Sequence, residues 1–228
     1  MYERSCYFFS VTAPETLQDG RRVRGDKTRR AILQAAVNVA SVDGLEGLTI
    51  GRLATELKMS KSGLFAHFGS KEELQISTVR AAAAIFVHRV MRPAEEANEP
   101  GLARLHASLA LWIEYIERGV FAGGCFFSNA TVEMGGKDGP VRDAVWEQMG
   151  RWYGALADAA REAIERGELK PETDPEQLAF EVDALGSAVS SGWLLANDPV
   201  VFKRGHEAIR RRLEADATEA GRAVLAAA

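Results

Sequence analysis

The sequence has few features that mark membrane-spanning or exported proteins. No apolar run approaches the roughly 20 residues that cross a bilayer. The segment CYFFSV at residues 6–11 is shorter than the apolar core of a signal peptide. The two cysteines, Cys6 and Cys125, lie far apart in the chain. We therefore expect a soluble, reduced cytoplasmic protein without membrane contact, in which Cys125 is a small core residue and not a redox centre.

Signals for β-structure are scarce as well. Asn-Gly hairpin turns and runs of β-branched residues are missing, and the 228 residues include only 7 prolines. Apolar residues make up 46% of the chain and recur at helical instead of alternating spacing. We predict an all-α protein, built as one large domain or as a small domain joined to a larger one.

Sequence motifs for catalysis and metal binding are also missing. The four histidines show neither the H-x-x-x-H nor the E-x-x-H spacing of a metal site: His67, His88, His106 and His206. There is no G-x-S-x-G nucleophile motif, phosphate loop ending in GKS or GKT, or dinucleotide fingerprint. The segment GGKDG at residues 135–139 follows no predicted strand and indicates a turn. We predict no enzyme activity, no catalytic residue, no metal site and no cofactor.

Charge is distributed unevenly along the chain. Residues 1–80 hold 12 Lys and Arg against 9 Asp and Glu, whereas residues 81–228 hold 16 against 23. The balances of +3 and −7 sum to the net charge of −4. Within RRVRGDKTRR, residues 21–30, six bases accompany one acid. This asymmetry is typical of a DNA-binding module on an acidic body, although a solvated surface run fits it equally well.

Two helices are predicted before residue 58. The first runs from Thr28 to Ala40 with Asp26 as its cap, and its apolar residues recur at helical spacing: Ile32, Ala35, Ala36 and Val39. Two glycines in SVDGLEGLT, residues 41–49, end this helix. Thr49 can cap a second helix with a similar apolar face: Ile50, Leu53, Ala54 and Leu57.

A short third helix follows after a tight turn. Ser60 is its predicted cap, and Ser70 begins an S-x-x-E capping box that starts a fourth helix reaching about residue 91. A helix of about eight residues is unstable alone in water. Leu64 and Phe68 lie four residues apart and can pack on the first two helices. The second and third helices therefore form a predicted helix-turn-helix.

The other face of the third helix carries side chains that suit phosphates and base edges: Lys61, Ser62, Phe65 and His67. Gly63 lets the backbone approach DNA closely. The capped N-termini at Ser60 and at Ser70–Lys71 present N–H groups to phosphate oxygens. The alternatives are that Phe65 belongs to the core and that His67 and Lys71 are surface residues without a role.

Residues 27–74 resemble the DNA-binding domain of TetR-family transcriptional regulators, in the segment TRRAILQAAVNVASVDGLEGLTIGRLATELKMSKSGLFAHFGSKEEL. The resemblance implies that the third helix lies in the major groove, with these DNA-binding residues: Thr28, Thr49, Ser60, Lys61, Ser62, Gly63, Phe65, His67 and Lys71. Two positions depart from the family pattern. Phe65 replaces a more usual tyrosine, and Lys58 replaces the turn glycine, which costs about 1 kcal/mol if its φ is positive.

The remaining two-thirds of the chain predicts a second helical body. Pro93 is expected to end the fourth helix, and a fifth spans about residues 102–116. Further helices are predicted at residues 125–134 and 140–166 and from Pro175 and Pro199, with an Ala-rich end that frays after Ala215. Nine helices with a ligand-sensing C-terminal domain are also what the resemblance implies.

Aromatic residues concentrate on the fourth to seventh helices, which enclose the effector pocket in the resembled family. The predicted ligand-binding residues are Phe86, His88, Trp112, Tyr115, Phe126, Phe127, Trp146, Met149, Trp152 and Tyr153. Their alternative role is simple core packing. A pocket with aromatic walls predicts a small, largely apolar effector. The polar group that orients it is left open among His88, Glu114, Tyr115, Asn129 and Glu133.

The resemblance further implies a homodimer formed by the eighth and ninth helices. The predicted interface residues are Leu185, Gly186, Val189, Trp193, Ile209 and Leu213. Small residues on the eighth helix let two helices approach closely, although packing within one chain explains them too.

The predicted organisation has four parts: a flexible tail at residues 1–24, a helix-turn-helix domain at 25–72, an effector-binding and dimerisation domain at 73–215, and a C-terminal tail at 216–228. The predicted function is that of a ligand-responsive repressor that binds a pseudo-palindromic operator as a dimer. The alternative is a helical adaptor of the same fold that binds protein instead of DNA.

Overall fold

The computed structural model describes the backbone of residues 20–227 and the side chains of residues 27–227. Cys6, most of the predicted tail and the side chain of Asp26 lie outside these ranges. The described helices are α1 (Gly20–Gly47), α2 (Ile50–Glu56), α3 (Lys61–Phe68), α4 (Lys71–Phe86), α5 (Arg92–Ala97), α6 (Leu102–Glu117), α7 (Phe126–Met134), α8 (Pro140–Glu165), α9 (Pro175–Ala196), α10 (Val200–Asp216) and α11 (Glu219–Ala227). No strand occurs in this part of the chain, so the predicted all-α class is confirmed.

Helix α1 is longer than predicted at both ends. It begins at Gly20, so residue 26 lies within the helix and not at its cap, and residues 20–24 are helical instead of tail. Near its other end Gly44 adopts φ 77° and ψ 168°, a conformation that favours glycine, and kinks the helix. The predicted break at SVDGLEGLT is therefore a kink at Gly44, and the helical segment ends at Gly47.

The three predicted caps of the next helices are confirmed. The Thr49 hydroxyl accepts a hydrogen bond from the Arg52 N–H at 3.1 Å, Ser60 accepts one from the Gly63 N–H at 3.1 Å, and Ser70 accepts one from the Glu73 N–H at 3.0 Å. Each bond satisfies an N–H group that has no partner within its helix. These short helices therefore start where the sequence places polar caps.

The fourth helix does not end at Pro93. A π-helical turn at Val87–Met91 joins α4 to α5, and Pro93 lies in the first turn of α5. Pro93 lacks the N–H that would continue the helical ladder, and the π-helical turn directly precedes it. The helical segment that begins after Ser70 therefore extends beyond Pro93, where the sequence predicted its end.

The C-terminal body is a bundle of α6 to α10, in which α9 packs on both α8 and α10. The chain beyond Ala215 is ordered, contrary to the predicted fraying. Thr218 Oγ1 donates to the Gly167 carbonyl at 2.7 Å, and Leu225 of α11 is buried. Burial of this apolar side chain and packing of α11 on α6 hold the last helix in place.

No helix in the described part of the chain is both long enough and apolar enough to cross a membrane.

Candidate DNA interface and ligand cavity

Helix α3 has one buried face and one exposed face. Leu64 and Phe68 are buried in the core beside Ile32, Val39 and Leu53, as expected. On the opposite side Lys61 and Ser62 are exposed, Phe65 is 52% exposed, and His67 and Gly63 are half-buried. Phe65 is therefore not a core residue. An exposed aromatic ring beside a lysine and a serine presents a mixed apolar and polar surface to a partner.

The core side of α3 is held by an arginine from α1. The Arg29 guanidinium lies 4.4 Å from the centroid of the Phe68 ring. It also donates to the His67 carbonyl and, at 3.0 Å, to Ser77 Oγ on α4. Arg29 belongs to the basic segment attributed to DNA binding, but in the structure it joins three helices. Sequence spacing does not reveal this role, because His67 and Ser77 lie 38 and 48 residues away.

Gly63 is close to the cap of its own helix. A Cβ atom at this position would lie 3.0 Å from Ser60 Oγ, which is tighter than ordinary contact. Lys61 crosses towards α2, where a Cβ on Gly51 would meet its Cε at 3.5 Å. The turn between α2 and α3 places Lys58 at φ 53°, so the condition under which a lysine at this position costs free energy is met.

Lys71 is engaged in the structure. Its Nζ donates to the Glu46 carboxylate at 2.9 Å and to the Glu46 carbonyl at 3.0 Å. Lys137 Nζ lies 3.4 Å from the same carboxylate. The hydrogen bond from Lys71, together with the charges of both lysines, lowers the pKa of Glu46. Because the pair is exposed, its net contribution to stability is small, and a phosphate can compete for Lys71.

Two contacts from α7 fix the end of α1. The Glu133 carboxylate accepts hydrogen bonds from the Leu45 and Glu46 N–H groups, both at 2.7 Å. Asn129 donates to the Gly123 carbonyl at 2.7 Å and to the Ser41 carbonyl at 3.4 Å. Glu133 and Asn129 thus join the N-terminal helices to the body.

A cavity of about 90 Å³ lies between α4, α6, α7, α8 and α9. Five predicted ligand-binding residues are among those that line it: Phe86, Trp112, Phe127, Met149 and Trp152. The aromatic rings meet edge to face, with centroids 5.1 Å apart for Phe86 and Trp152 and 5.5 Å apart for Trp112 and Trp152. The cavity therefore has the aromatic walls that the sequence predicted.

Other predicted ligand-binding residues lie away from this cavity. His88 is exposed in the π-helical turn, two residues beyond the buried Phe86. Trp146 is 64% exposed, one position beyond the inward-facing Val145. Tyr115 and Phe126 are buried in the core and do not line the cavity. The interpretation of these residues as ligand contacts is corrected accordingly.

The remaining polar candidates are also placed elsewhere. Glu114 pairs with Arg118 on the surface of α6. The Tyr115 hydroxyl is buried without a hydrogen-bond partner among the described residues, and burial raises its pKa. Sequence reasoning missed the acidic residue that lines the cavity, Asp183 on α9. In the sequence, Asp183 lies four residues after Ala179 and three before Gly186. This spacing places its charged side chain on the same buried face of α9.

The Asp183 carboxylate bridges α9 and α8. Its Oδ1 accepts a hydrogen bond from Trp152 Nε1 at 2.9 Å, and its Oδ2 accepts one from the Tyr153 hydroxyl at 2.8 Å. Tyr153, a predicted ligand-binding residue, therefore reaches the site through Asp183. Burial raises the pKa of Asp183, and the two hydrogen bonds oppose this shift.

Two sequence families match the chain. The family described as "Bacterial regulatory proteins, tetR family" matches residues 32–77, and "Tetracyclin repressor-like, C-terminal domain" matches residues 101–222. The chain belongs to the TetR family. It is therefore a DNA-binding transcriptional regulator, and the predicted family is confirmed.

Known TetR-family proteins resemble the chain over most of its length. The transcriptional regulator AcuR of Cereibacter sphaeroides is 23% identical over 188 residues, which cover 80% of this chain and 83% of AcuR. A TetR regulator from Chloroflexus aurantiacus has a TM-score of 0.79 at 22% identity, covering 86% of this chain and 98% of that one. AibR, solved with isovaleryl coenzyme A and operator DNA, has a TM-score of 0.64 at 21% identity, covering 78% and 94%.

Four of the six residues predicted for the TetR-family dimer interface are buried, and Leu185 and Trp193 are half-buried. Val189, Ile209 and Leu213 are buried within the protomer. A Cβ atom at Gly186 would lie 2.0 Å from the Trp112 ring. The space beside this glycine is therefore filled by the Trp112 indole of the same protomer and is not available to a second subunit. Trp193 packs on Phe202 with centroids 5.0 Å apart, and Leu185 packs against the core. The apolar stripe of α9 therefore packs mainly into the protomer's own core, which argues against most of the predicted interface residues.

The opposite face of α9 carries exposed small and apolar residues at helical spacing: Phe180, Ala184, Ala188, Ser191 and Leu195. Phe180 is 60% exposed and Leu195 is 92% exposed. Large exposed apolar side chains grouped on one face mark interaction surfaces. This outer stripe is the feature that sequence reasoning missed, because both faces of α9 are rich in small and apolar residues.

Proposed function

We propose that this TetR-family repressor binds a pseudo-palindromic operator as a homodimer and is released by a small, largely apolar effector. The observation that carries the DNA-binding part is the exposed face of α3 over its buried Leu64 and Phe68. Two such helices, about 34–36 Å apart in a dimer, fit adjacent major grooves. The proposed protein acts by binding DNA and effector and not by catalysis. It acts in the cytoplasm, where the target DNA lies.

The proposed DNA contacts come from the α3 face and the helix starts around it. Lys61 is assigned to phosphate, because it is exposed and forms no ion pair among the described residues. Ser62, Phe65 and His67 face the groove, and Lys71 reaches phosphate after leaving Glu46. Thr28 and Thr49 flank the same surface. The helix-turn-helix unit is proposed to comprise residues 25–72, and the effector and dimerisation unit residues 73–215.

The outer stripe of α9 is the proposed dimer surface, in place of the buried stripe predicted from the sequence. An isologous contact places the same residues on both sides of a two-fold axis. Phe180 and Leu195 lie fifteen residues apart, which corresponds to about 22 Å along the helix. That length gives two antiparallel copies of α9 a continuous apolar contact.

The proposed coupling runs through α4. Its first residue, Lys71, contacts Glu46 near the helix-turn-helix, and its last, Phe86, lines the cavity. Sixteen residues span about 24 Å, so a tilt at the cavity displaces the other end. An effector that prefers the tilted state separates the two α3 helices, and coupling of about 1–3 kcal/mol is the usual scale.

An electrophoretic shift assay with the DNA flanking the chain's own gene tests this function. The wild-type chain should give a specific shift, whereas Lys61→Ala should weaken binding to all sequences and reduce the salt slope by about one unit. Met149→Trp fills the cavity and should remove effector response while operator binding persists. Unchanged affinity and salt dependence for Lys61→Ala would place the DNA on another surface.

A further inference from the structure

The ligand cavity contains a buried acid whose charge is not balanced by a neighbouring cation. Asp183 is 5% exposed, and its partners are the neutral donors Trp152 Nε1 and the Tyr153 hydroxyl. Among the side chains of residues 27–227, none forms an ion pair with it. Each carboxylate oxygen accepts one described hydrogen bond and retains a lone pair for another donor.

A purely structural role does not require an acid at this position. A neutral acceptor such as an amide or a hydroxyl can accept hydrogen bonds from an indole and a phenol without the free-energy penalty of burying a charge. Burial raises the pKa of Asp183, which reflects this penalty. A cation that binds in the cavity would remove much of it.

The other charged residue at the cavity is directed elsewhere. The side chain of Arg151 is 65% exposed, and its guanidinium pairs with Glu147 at 2.6 Å. The remaining lining residues are neutral, and most are apolar. The interior of the cavity therefore presents a net negative group within apolar walls.

The aromatic walls favour the same kind of ligand. The rings of Phe86, Trp112 and Trp152 pack edge to face around the cavity. The faces of such rings attract cations, and this attraction is stronger in a site without water. A carboxylate and several aromatic rings together select a positive head group on an apolar chain.

We propose that Asp183 makes the effector of this protein a small lipophilic amine, bound as its ammonium ion. The N–H groups of the ammonium donate to Asp183, and its alkyl chain lies against Phe86, Trp112 and Phe127. This inference rests on the proposed function of the cavity as the effector site. Carboxylate ligands are disfavoured, because a second negative charge beside Asp183 would be repelled and Arg151 at the cavity already pairs with Glu147.

Three probes with one six-carbon chain test the head group: n-hexylammonium, hexan-1-ol and hexanoate. Their binding to the wild-type chain is measured by calorimetry at pH 7. Hexylammonium should bind at least tenfold more tightly than hexanol, and hexanoate should bind most weakly. Equal affinity for the amine and the alcohol, tighter binding of hexanoate, or no binding of hexylammonium would overturn the proposal.

Two matched variants locate the selectivity. Asp183→Asn retains an acceptor for Trp152 and Tyr153 but removes the charge, and it should reduce hexylammonium affinity to that of hexanol. Asp143→Asn makes the same change on the exposed start of α8 and should leave the preference intact. If Asp183→Asn retains the amine preference, Asp183 is not the selector. If this variant does not fold, the wild-type comparison alone decides the ligand class.

A DNA shift assay with the same probes separates this inference from the proposed function. Selective amine binding that leaves operator affinity unchanged would uphold the ligand class and contradict release by this effector. Release by hexanol, with no preference for the amine, would uphold an apolar effector site and contradict the role of Asp183.

Discussion

At the scale of single residues, the N-terminal domain contains a lysine whose partner competes with DNA. Glu46 holds Lys71 at 2.9 Å and lies 3.4 Å from Lys137. A phosphate that binds Lys71 must displace this carboxylate, and the negative charge of Glu46 also repels the DNA backbone. Glu46 is therefore placed to weaken DNA binding, and this effect can be measured.

We predict that Glu46→Gln tightens binding to specific and non-specific DNA alike. The change removes one negative charge and frees Lys71, so the salt slope should become steeper by about one unit. Fluorescence anisotropy across a salt series measures both quantities. Glu114→Gln, which removes the same charge from α6, is the control and should change neither. Weaker binding by Glu46→Gln would mean that Glu46 positions Lys71 for the phosphate.

The backbone at Lys58 gives a second residue-scale prediction. Its φ of 53° lies in the left-handed region, where the backbone of a residue other than glycine, asparagine or aspartate is strained. Lys58→Gly should raise the free energy of unfolding by about 1 kcal/mol, less the entropy that glycine adds to the unfolded chain. Urea denaturation measures this change. Lys61→Gly, within α3, should be destabilising, and a loss of stability for Lys58→Gly would show that the turn is unstrained.

At the scale of helices, local signals predicted more than long-range contacts did. Thr49, Ser60 and Ser70 cap helices as predicted, because a cap bonds to N–H groups two or three residues away. The prediction that Pro93 ends the fourth helix was wrong, because the helical backbone continues through a π-helical turn into α5. The cavity walls followed from the family resemblance and the aromatic residues on the fourth to seventh helices, whereas Asp183 did not, since its partners on α8 are 30 and 31 residues distant.

The contact between α1 and α7 gives the prediction that belongs to this scale. Glu133→Ala leaves the Leu45 and Glu46 N–H groups without their acceptor, which should cost about 1–3 kcal/mol of unfolding free energy. Glu133→Gln retains one amide oxygen and should lose less. Chemical denaturation monitors the change, with Val132→Ala on the exposed face of α7 as the control. Equal stability of Glu133→Ala and wild type would mean that water replaces the carboxylate.

At the scale of the whole molecule, the two faces of α9 have different roles. The inner face carries Asp183 to the cavity and packs Gly186 against Trp112. The outer face carries the exposed stripe from Phe180 to Leu195. A ligand on one side of this helix therefore lies about one helix diameter, roughly 10 Å, from the proposed subunit contact. Both faces carry small and apolar residues at helical spacing, and only the fold shows which face is buried.

The outer stripe leads to the prediction about assembly. Leu195→Glu places a charge in the proposed apolar contact, where burial without a partner is unfavourable, so the dimer should dissociate at micromolar concentration. Light scattering measures the mass, and the monomer should also lose binding to a two-half-site operator while retaining weak non-specific binding. Val132→Glu, at an 83% exposed position on α7, should remain dimeric. A dimeric Leu195→Glu would move the two-fold contact away from the outer face of α9.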